Sequence, residues 1–250
     1  IRKSPPVIRN TISGMIKDKY CPTDILMLLI NCVTAGMNFV IGGEPGSGKT
    51  EFVKFLMQFI PLEKRVITIE DSLEIHYSEI NPDADAVELR VGEDFSYTDA
   101  IKACLRQNPM WLVLSEARSV EVTSLIEQWS TGVNGITTIH LDDLRKLPDR
   151  IENMMNDVND ASRLENRIYR YVNVGVLIRR EKEADGGIRR YIDQMCFYVR
   201  EEHKNRVYML VEDGEIISRK VPADIAKRLK LVGIDEFFWC DLDPFIKRGM

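Results

Sequence analysis

No apolar run in the sequence approaches the ~18 residues needed to cross a bilayer as a helix. The longest, Ile25 to Ile30, is the size of a buried helix segment, so the expectation is a soluble chain or one attached to a membrane through partners. Cysteine is sparse: the five residues Cys21, Cys32, Cys104, Cys196 and Cys240 are odd in number, widely spaced and form no C-x-x-C pair. That supports neither a disulfide framework nor a zinc site and fits reduced thiols in a cytosolic protein. Basic excess is also missing. With 34 Lys and Arg against 39 Asp and Glu the net charge is -5, which argues against a generic nucleic-acid binder, because neutralising phosphates needs a basic face. Tandem repeats, low-complexity tracts and a signal-peptide pattern are lacking, and the chain opens at Ile1 without methionine, as expected of a fragment whose N-terminal part is absent.

What the sequence does contain is Gly43-Glu-Pro-Gly-Ser-Gly-Lys-Thr50, a complete G-x-x-x-x-G-K-[ST] loop, preceded by the apolar run Asn38 to Ile41 and followed by a helical pattern. A strand before and a helix after are the context in which this motif holds phosphates. Gly43, Gly46, Ser47 and Gly48 form a turn whose backbone N–H groups point at an anion, Lys49 reaches the β- and γ-phosphates, and the Thr50 hydroxyl holds a magnesium ion. The expected ligands are ATP, or another nucleoside triphosphate, and Mg2+.

Around the loop, apolar runs alternate with helical patterns. Runs at 39–41, 66–69, 87–91, 111–114 and 136–139 read as strands, and stretches at 49–59, 97–107 and 120–130 as helices. An earlier helix begins near Ile25 with Asp24 as its cap, and Ser96 caps the one from Tyr97. This alternation predicts an α/β fold with a mainly parallel sheet. Residues 1–22 read as a linker, 23–182 as the core and 183–250 as a small C-terminal α+β region, with strands at 191–199 and 207–211 and a helix from Pro222 to Leu231.

Ligands of such sheets lie at the carboxyl ends of the strands, which selects Glu70 and Asp71, Glu116, and His140 among the polar residues. Glu116 is the candidate base that orients the attacking water; it could instead be a strand-end carboxylate capping the next helix. Glu70, Asp71 and Glu74 form an acidic cluster that either shares a hydrated Mg2+ or is a solvated turn. His140 either senses the γ-phosphate or is structural. Arg106 and Arg118 either neutralise transition-state charge or form salt bridges.

These motifs together resemble the secretion ATPase superfamily, the hexameric motors of type II and type IV secretion, of type IV and tight-adherence pili, and of conjugation. Four elements over about residues 20 to 180 carry the resemblance. Beside the Walker A loop, Ile67 to Ile75 resembles the family's aspartate box. Leu105 to Pro109 with Leu114 to Arg118 resembles its L-R-x-x-P and G-E-x-R segments, and Thr131 to His140 its histidine box. Arg150 to Met154 is similar to a later R-L-E-x-M. Without a four-cysteine zinc insert the chain is most similar to the tight-adherence and conjugation branch. Ser115 and Ser119 replace usual glycines, Asn108 replaces a common arginine and Glu51 a frequent threonine; the missing arginine removes one charge-neutralising group, so slow hydrolysis is expected.

The resemblance implies a RecA-like core. Lys49 and Thr50 would act on phosphate and magnesium, Glu116 and Glu70 as catalytic carboxylates that also serve the metal, His140 as γ-phosphate sensor and Arg118 as a charge-neutralising group. It further implies a cytoplasmic homo-hexamer at the inner face of the cell membrane, bearing on an inner-membrane platform protein and driving secretion, pilus assembly or conjugative transfer without direct nucleic-acid contact. Two alternatives stay open: a DNA-translocating RecA-type motor, and a scaffold that binds ATP to assemble without hydrolysing it.

Overall fold

A computed structural model describes residues 5–154 and 161–246. The first four residues of the expected linker and the last four of the C-terminal region lie outside the described residues. The described strands are β1 (Phe39–Gly43), β2 (Val66–Glu70), β3 (Ala86–Arg90), β4 (Trp111–Leu114), β5 (Asn134–Ile139), β6 (Val174–Lys182), β7 (Ile188–Glu201), β8 (Lys204–Glu212) and β9 (Glu215–Ile216). They form one nine-stranded sheet in the order β3-β2-β4-β5-β1-β6-β7-β8-β9. From β3 to β6 every pairing is parallel, and from β6 to β9 every pairing is antiparallel.

Strands covered on both faces read as continuous apolar runs, and β1, β2 and β4 are buried along their whole length. Their alternate side chains supply two cores: Phe39, Ile41, Trp111 and Val113 face one, Val40, Leu112 and Leu114 the other. The first core is closed by α1 (Ile12–Lys17), α2 (Thr23–Thr34), α3 (Lys49–Met57) and α4 (Tyr77–Ile80). The second is closed by α5 (Tyr97–Cys104), α6 (Glu121–Ser130), α7 (Leu147–Glu152) and α8 (Ala161–Tyr171). The chain then returns to the first face with α9 (Ala223–Leu231) and α10 (Asp243–Ile246). Buried Asn38 joins the starts of three strands. Its Oδ1 accepts from the Gly135 N–H of β5, its Nδ2 donates to Tyr171 O just before β6, and its own N–H donates to Asn173 Oδ1.

Several boundaries differ from the sequence reading. Asp24 is not the cap of α2: Pro22 occupies that position, and Asp24 lies in the first turn, accepting from its neighbour Ile25 N–H and pairing with Arg219. Pro222 likewise sits at the cap of α9 and not at its first position. Ser96 does cap α5, in a reciprocal capping box with Asp99. That helix stops at Cys104 and tightens into a 3-10 turn, Leu105–Gln107, ended by Asn108 at φ 52°. Pro109 disfavours helical backbone at the residue before it, and asparagine tolerates the left-handed region. The expected boundary at 182/183 falls inside the β6–β7 hairpin, whose β7 continues the sheet.

Candidate functional site

The phosphate loop leaves β1 at Gly43 and enters α3 at Lys49, with Gly43, Gly46 and Gly48 at φ 147°, 76° and 98°. A Cβ on Gly43 would come within 2.6 Å of both Ile178 O and Ser47 Oγ, so the turn demands glycine sterically as well as conformationally. Ser47 Oγ is buried with no hydrogen-bond partner among the described residues, at the N-terminal end of a nine-residue helix. Free helix-end N–H groups, an uncommitted hydroxyl and an adjacent lysine fit a phosphate group.

Lys49 is largely buried. Its Nζ donates to Gly43 O at 2.9 Å and Glu44 O at 3.0 Å and lies 3.3 Å from His140 Nδ1. Desolvation lowers its pKa from the ordinary lysine value, and Glu116 opposes that shift. Beyond His140 the polar chain continues: Nε2 lies 2.6 Å from Glu116 Oε1. Arg118 then holds the other Glu116 oxygen through Nε at 2.7 Å and reaches Asp71 Oδ2 through Nη1 at 2.8 Å. Desolvation works against the Arg118 charge, but the bonds to Glu116 and Asp71 outweigh it and raise its pKa. Lys49, His140, Glu116 and Asp71 follow β1, β5, β4 and β2, four adjacent strands, so one polar network runs along the carboxyl edge of the sheet.

Glu70 behaves differently from its acidic neighbours. It is fully buried; its Oε2 accepts from the N–H groups of Glu74 and Ile75, each at 3.0 Å, and its Oε1 has no partner among the described residues. Asp71 is compensated by Arg118, so two of the three carboxylates of the expected cluster part company, Glu70 inward and Asp71 onto Arg118. Burial pushes the Glu70 carboxyl up to about 7, against the two backbone bonds. Because the folded state binds this proton more tightly than the unfolded chain does, the group favours folding below about pH 4.5 and that contribution is lost as pH rises through about 7. Glu70→Gln keeps an acceptor for both N–H groups. It is expected to be more stable than the wild type by on the order of 1–3 kcal/mol at pH 8 and equal to it near pH 4 in urea unfolding.

Glu70, Glu116, Arg118, His140, Lys49 and Thr50 all line one cavity of about 790 Å³, within the range of small-molecule sites. Arg106 is not among its lining residues and sits in the 3-10 turn after α5. Among the described residues no group of three or more His, Cys, Asp or Glu is arranged to hold a metal. Such a site fits Mg2+ held largely by phosphate oxygens and water, the usual mode for this ion, with Thr50, Glu70 and Glu116 at hand and Glu70 Oε1 as a spare acceptor.

Sequence reasoning missed the supporting residues. Tyr97 OH lies 3.1 Å from Ser115 Oγ and accepts from Asp71 N–H, so the serine in the usual glycine position ties β4 to the acidic turn. Glu121 Oε1 accepts from the N–H groups of Arg118 and Ser119 and fixes the loop that carries Arg118. A glutamate two and three residues beyond those amides, at a helix start, was the available signal. Tyr20 and the β6–β7 residues Arg189 and Arg190 also line the cavity, brought there only by tertiary folding.

Sheet, loop and polar edge define a P-loop nucleotide-binding core of the RecA-like class. The chain belongs to the family described as Type II/IV secretion system protein, which it matches over residues 14–176. It is 38% identical over 146 residues to an uncharacterised protein of Bacillus anthracis, covering 57% of this chain and 33% of the relative. It is 29% identical over 187 residues to the type IV secretion system protein VirB11 of Brucella suis, covering 70% of this chain and 51% of the relative. The chain thus spans only a third to a half of the length of these relatives. Among solved structures it is similar to the Legionella pneumophila ATPase DotB, with a TM-score of 0.63 at 20% identity over 80% of this chain and 54% of that one. It is also similar to the pilus retraction motor PilT with bound ADP, with a TM-score of 0.60 at 20% identity over 92% of this chain and 58% of that one. At such identities the structural likeness establishes the fold. No helix of the described residues is long and apolar enough to cross a membrane.

Proposed function

We propose that this chain is the ATP-hydrolysing part of a motor subunit that powers secretion, pilus assembly or conjugative transfer across a cell envelope. The observation that carries the reading is the network from Lys49 through His140, Glu116 and Arg118 to Asp71, which joins the phosphate loop to three neighbouring strand ends. Lys49 and the loop amides bind the phosphates of ATP, and Thr50 holds Mg2+, which supplies charge neutralisation on the phosphate oxygens. Glu116 Oε1 orients the attacking water and receives its proton. His140, between Lys49 and Glu116, connects the state of the γ-phosphate to that carboxylate. Arg118 fixes the Glu116 carboxylate, and Glu70, with its spare Oε1, would help hold the metal.

The motor works as a homo-hexamer at the cytoplasmic face of the membrane and bears on an inner-membrane platform protein. A second reading, an ATP-gated scaffold without turnover, is favoured by two observations: the Arg118 charge is already engaged by two carboxylates, and Asn108 stands where the family commonly has another arginine. Mg·ATP turnover per subunit, measured across protein concentrations, separates them. Turnover that rises with concentration supports a composite-site motor. Nucleotide binding with no turnover at any protein concentration, in a chain as long as its relatives, would select the scaffold.

A further inference from the structure

The β6–β7 hairpin outruns the strand beside it. Pairing of β1 with β6 ends at Gly43 and Ile178, yet β6 continues through Lys182 and returns as β7, so its tip projects past the end of β1 alongside the phosphate loop. Burial changes at the same point: β6 is buried through Ile178 and exposed from Arg179, and β7 is exposed until Tyr191. The overhang is therefore not built by core packing.

Three of its charged residues have local work. Arg179 pairs with Asp193, Glu181 accepts from Tyr191 OH, and Arg189 lies over the Tyr191 ring. Arg180 and Arg190 differ. They stand directly opposite each other across the antiparallel pair, a like-charge arrangement that destabilises a hairpin. Neither has a carboxylate within ion-pair distance among the described residues. Both reach the loop glycines. Arg190 Nε and Nη2 each lie 3.4 Å from Gly46 O, its Cδ is 3.1 Å from where a Gly48 Cβ would be, and Arg180 Nη1 is 2.9 Å from where a Gly46 Cβ would be. Two uncompensated guanidinium groups converge on the crown of a phosphate loop, and Arg190 lines the same cavity as Lys49.

We propose that the β6–β7 hairpin is a further wall of the nucleotide site, with Arg190, seconded by Arg180, binding the phosphate chain of a nucleoside di- or triphosphate in the same subunit. The inference rests on the nucleotide-binding reading of the loop. It supplies cationic charge to a site whose Arg118 is committed to Glu116 and Asp71. An anion between Arg180 and Arg190 also relieves their mutual repulsion, so binding would order the hairpin against the loop.

The test is equilibrium titration of the chain with a fluorescent N-methylanthraniloyl ADP at low and high NaCl, for wild type, Arg190→Gln, Arg190→Lys, the Arg180→Gln/Arg190→Gln double variant and Lys49→Ala. Arg190→Gln is expected to weaken binding about tenfold at low salt, the double variant further, and Arg190→Lys less than Arg190→Gln. The double variant should also show a shallower salt dependence than the wild type. Both arginines are exposed, so melting without nucleotide should be unchanged or higher in the variants. Affinity and salt dependence of the double variant within twofold of wild type, with Lys49→Ala impaired, would overturn the arginine role alone. A wild type that binds no nucleotide would overturn the nucleotide reading and this inference together.

Discussion

Replacing Glu116 by glutamine is expected to lower Mg·ATP turnover by about two to four orders of magnitude while leaving nucleotide affinity within a few-fold of wild type. Glutamine keeps the size of the side chain and an oxygen that can accept from Arg118, but it removes the charge that balances Arg118 and the oxygen that can take a proton. In the native site His140 Nε2 stands 2.6 Å from Glu116 Oε1 and Arg118 Nε donates to Oε2 at 2.7 Å, so each oxygen has an assigned neighbour. Lys49 and the loop glycines, which carry phosphate binding, do not bond to Glu116, so loss of its charge reaches Lys49 only at a distance and affinity changes little. Single-turnover hydrolysis beside a binding titration checks the split. Turnover within tenfold of wild type would remove Glu116 from the role of base.

Gly135→Ala should cost about 3 kcal/mol or more of folding stability, beyond the usual range for one added methyl group. Gly135 lies in β5, where a Cβ would sit 2.3 Å from Trp129 Nε1 of α6 and 2.5 Å from Leu112 O of β4. The backbone oxygen is locked in the sheet and the indole is buried. Neither can withdraw without separating α6 from β5 or β4 from β5. The loss is a large share of the roughly 5–15 kcal/mol that holds an ordinary domain together. Gly92→Ala is the control: a Cβ there meets nothing within 4 Å. Urea midpoints at unchanged slope should fall sharply for Gly135→Ala and stay near wild type for Gly92→Ala; equal midpoints would contradict this packing explanation.

β1, β2, β4 and β5 were legible because they are buried over all or nearly all of their length and therefore show as short apolar runs between turn residues. β6 was not, since its five buried residues, Val174 to Ile178, are followed by Arg179 to Lys182, whose charge reads as the end of an element although the strand continues into the hairpin. α1 was hidden in residues 1–22, which read as a linker, because its one buried residue, Met15, gives no periodicity to detect. At the site, residues directly after strands could be picked out because a parallel sheet collects its strand ends on one edge. Arg190 and Tyr20 reach that edge by long-range folding and leave no local pattern. The acidic run Glu70, Asp71 and Glu74 was visible, but its division was not: which carboxylate turns inward depends on the backbone N–H groups of Glu74 and Ile75 and on the distant Arg118.

The most direct test of the nucleotide site is calorimetric titration of the wild type and Lys49→Ala with ATP in the presence and absence of Mg2+. Saturable binding that is strengthened by Mg2+ and weakened at least about tenfold by Lys49→Ala is the expected result. Equal affinity of the two proteins, or no binding by either, would contradict the assignment of the Gly43–Thr50 loop as the phosphate site.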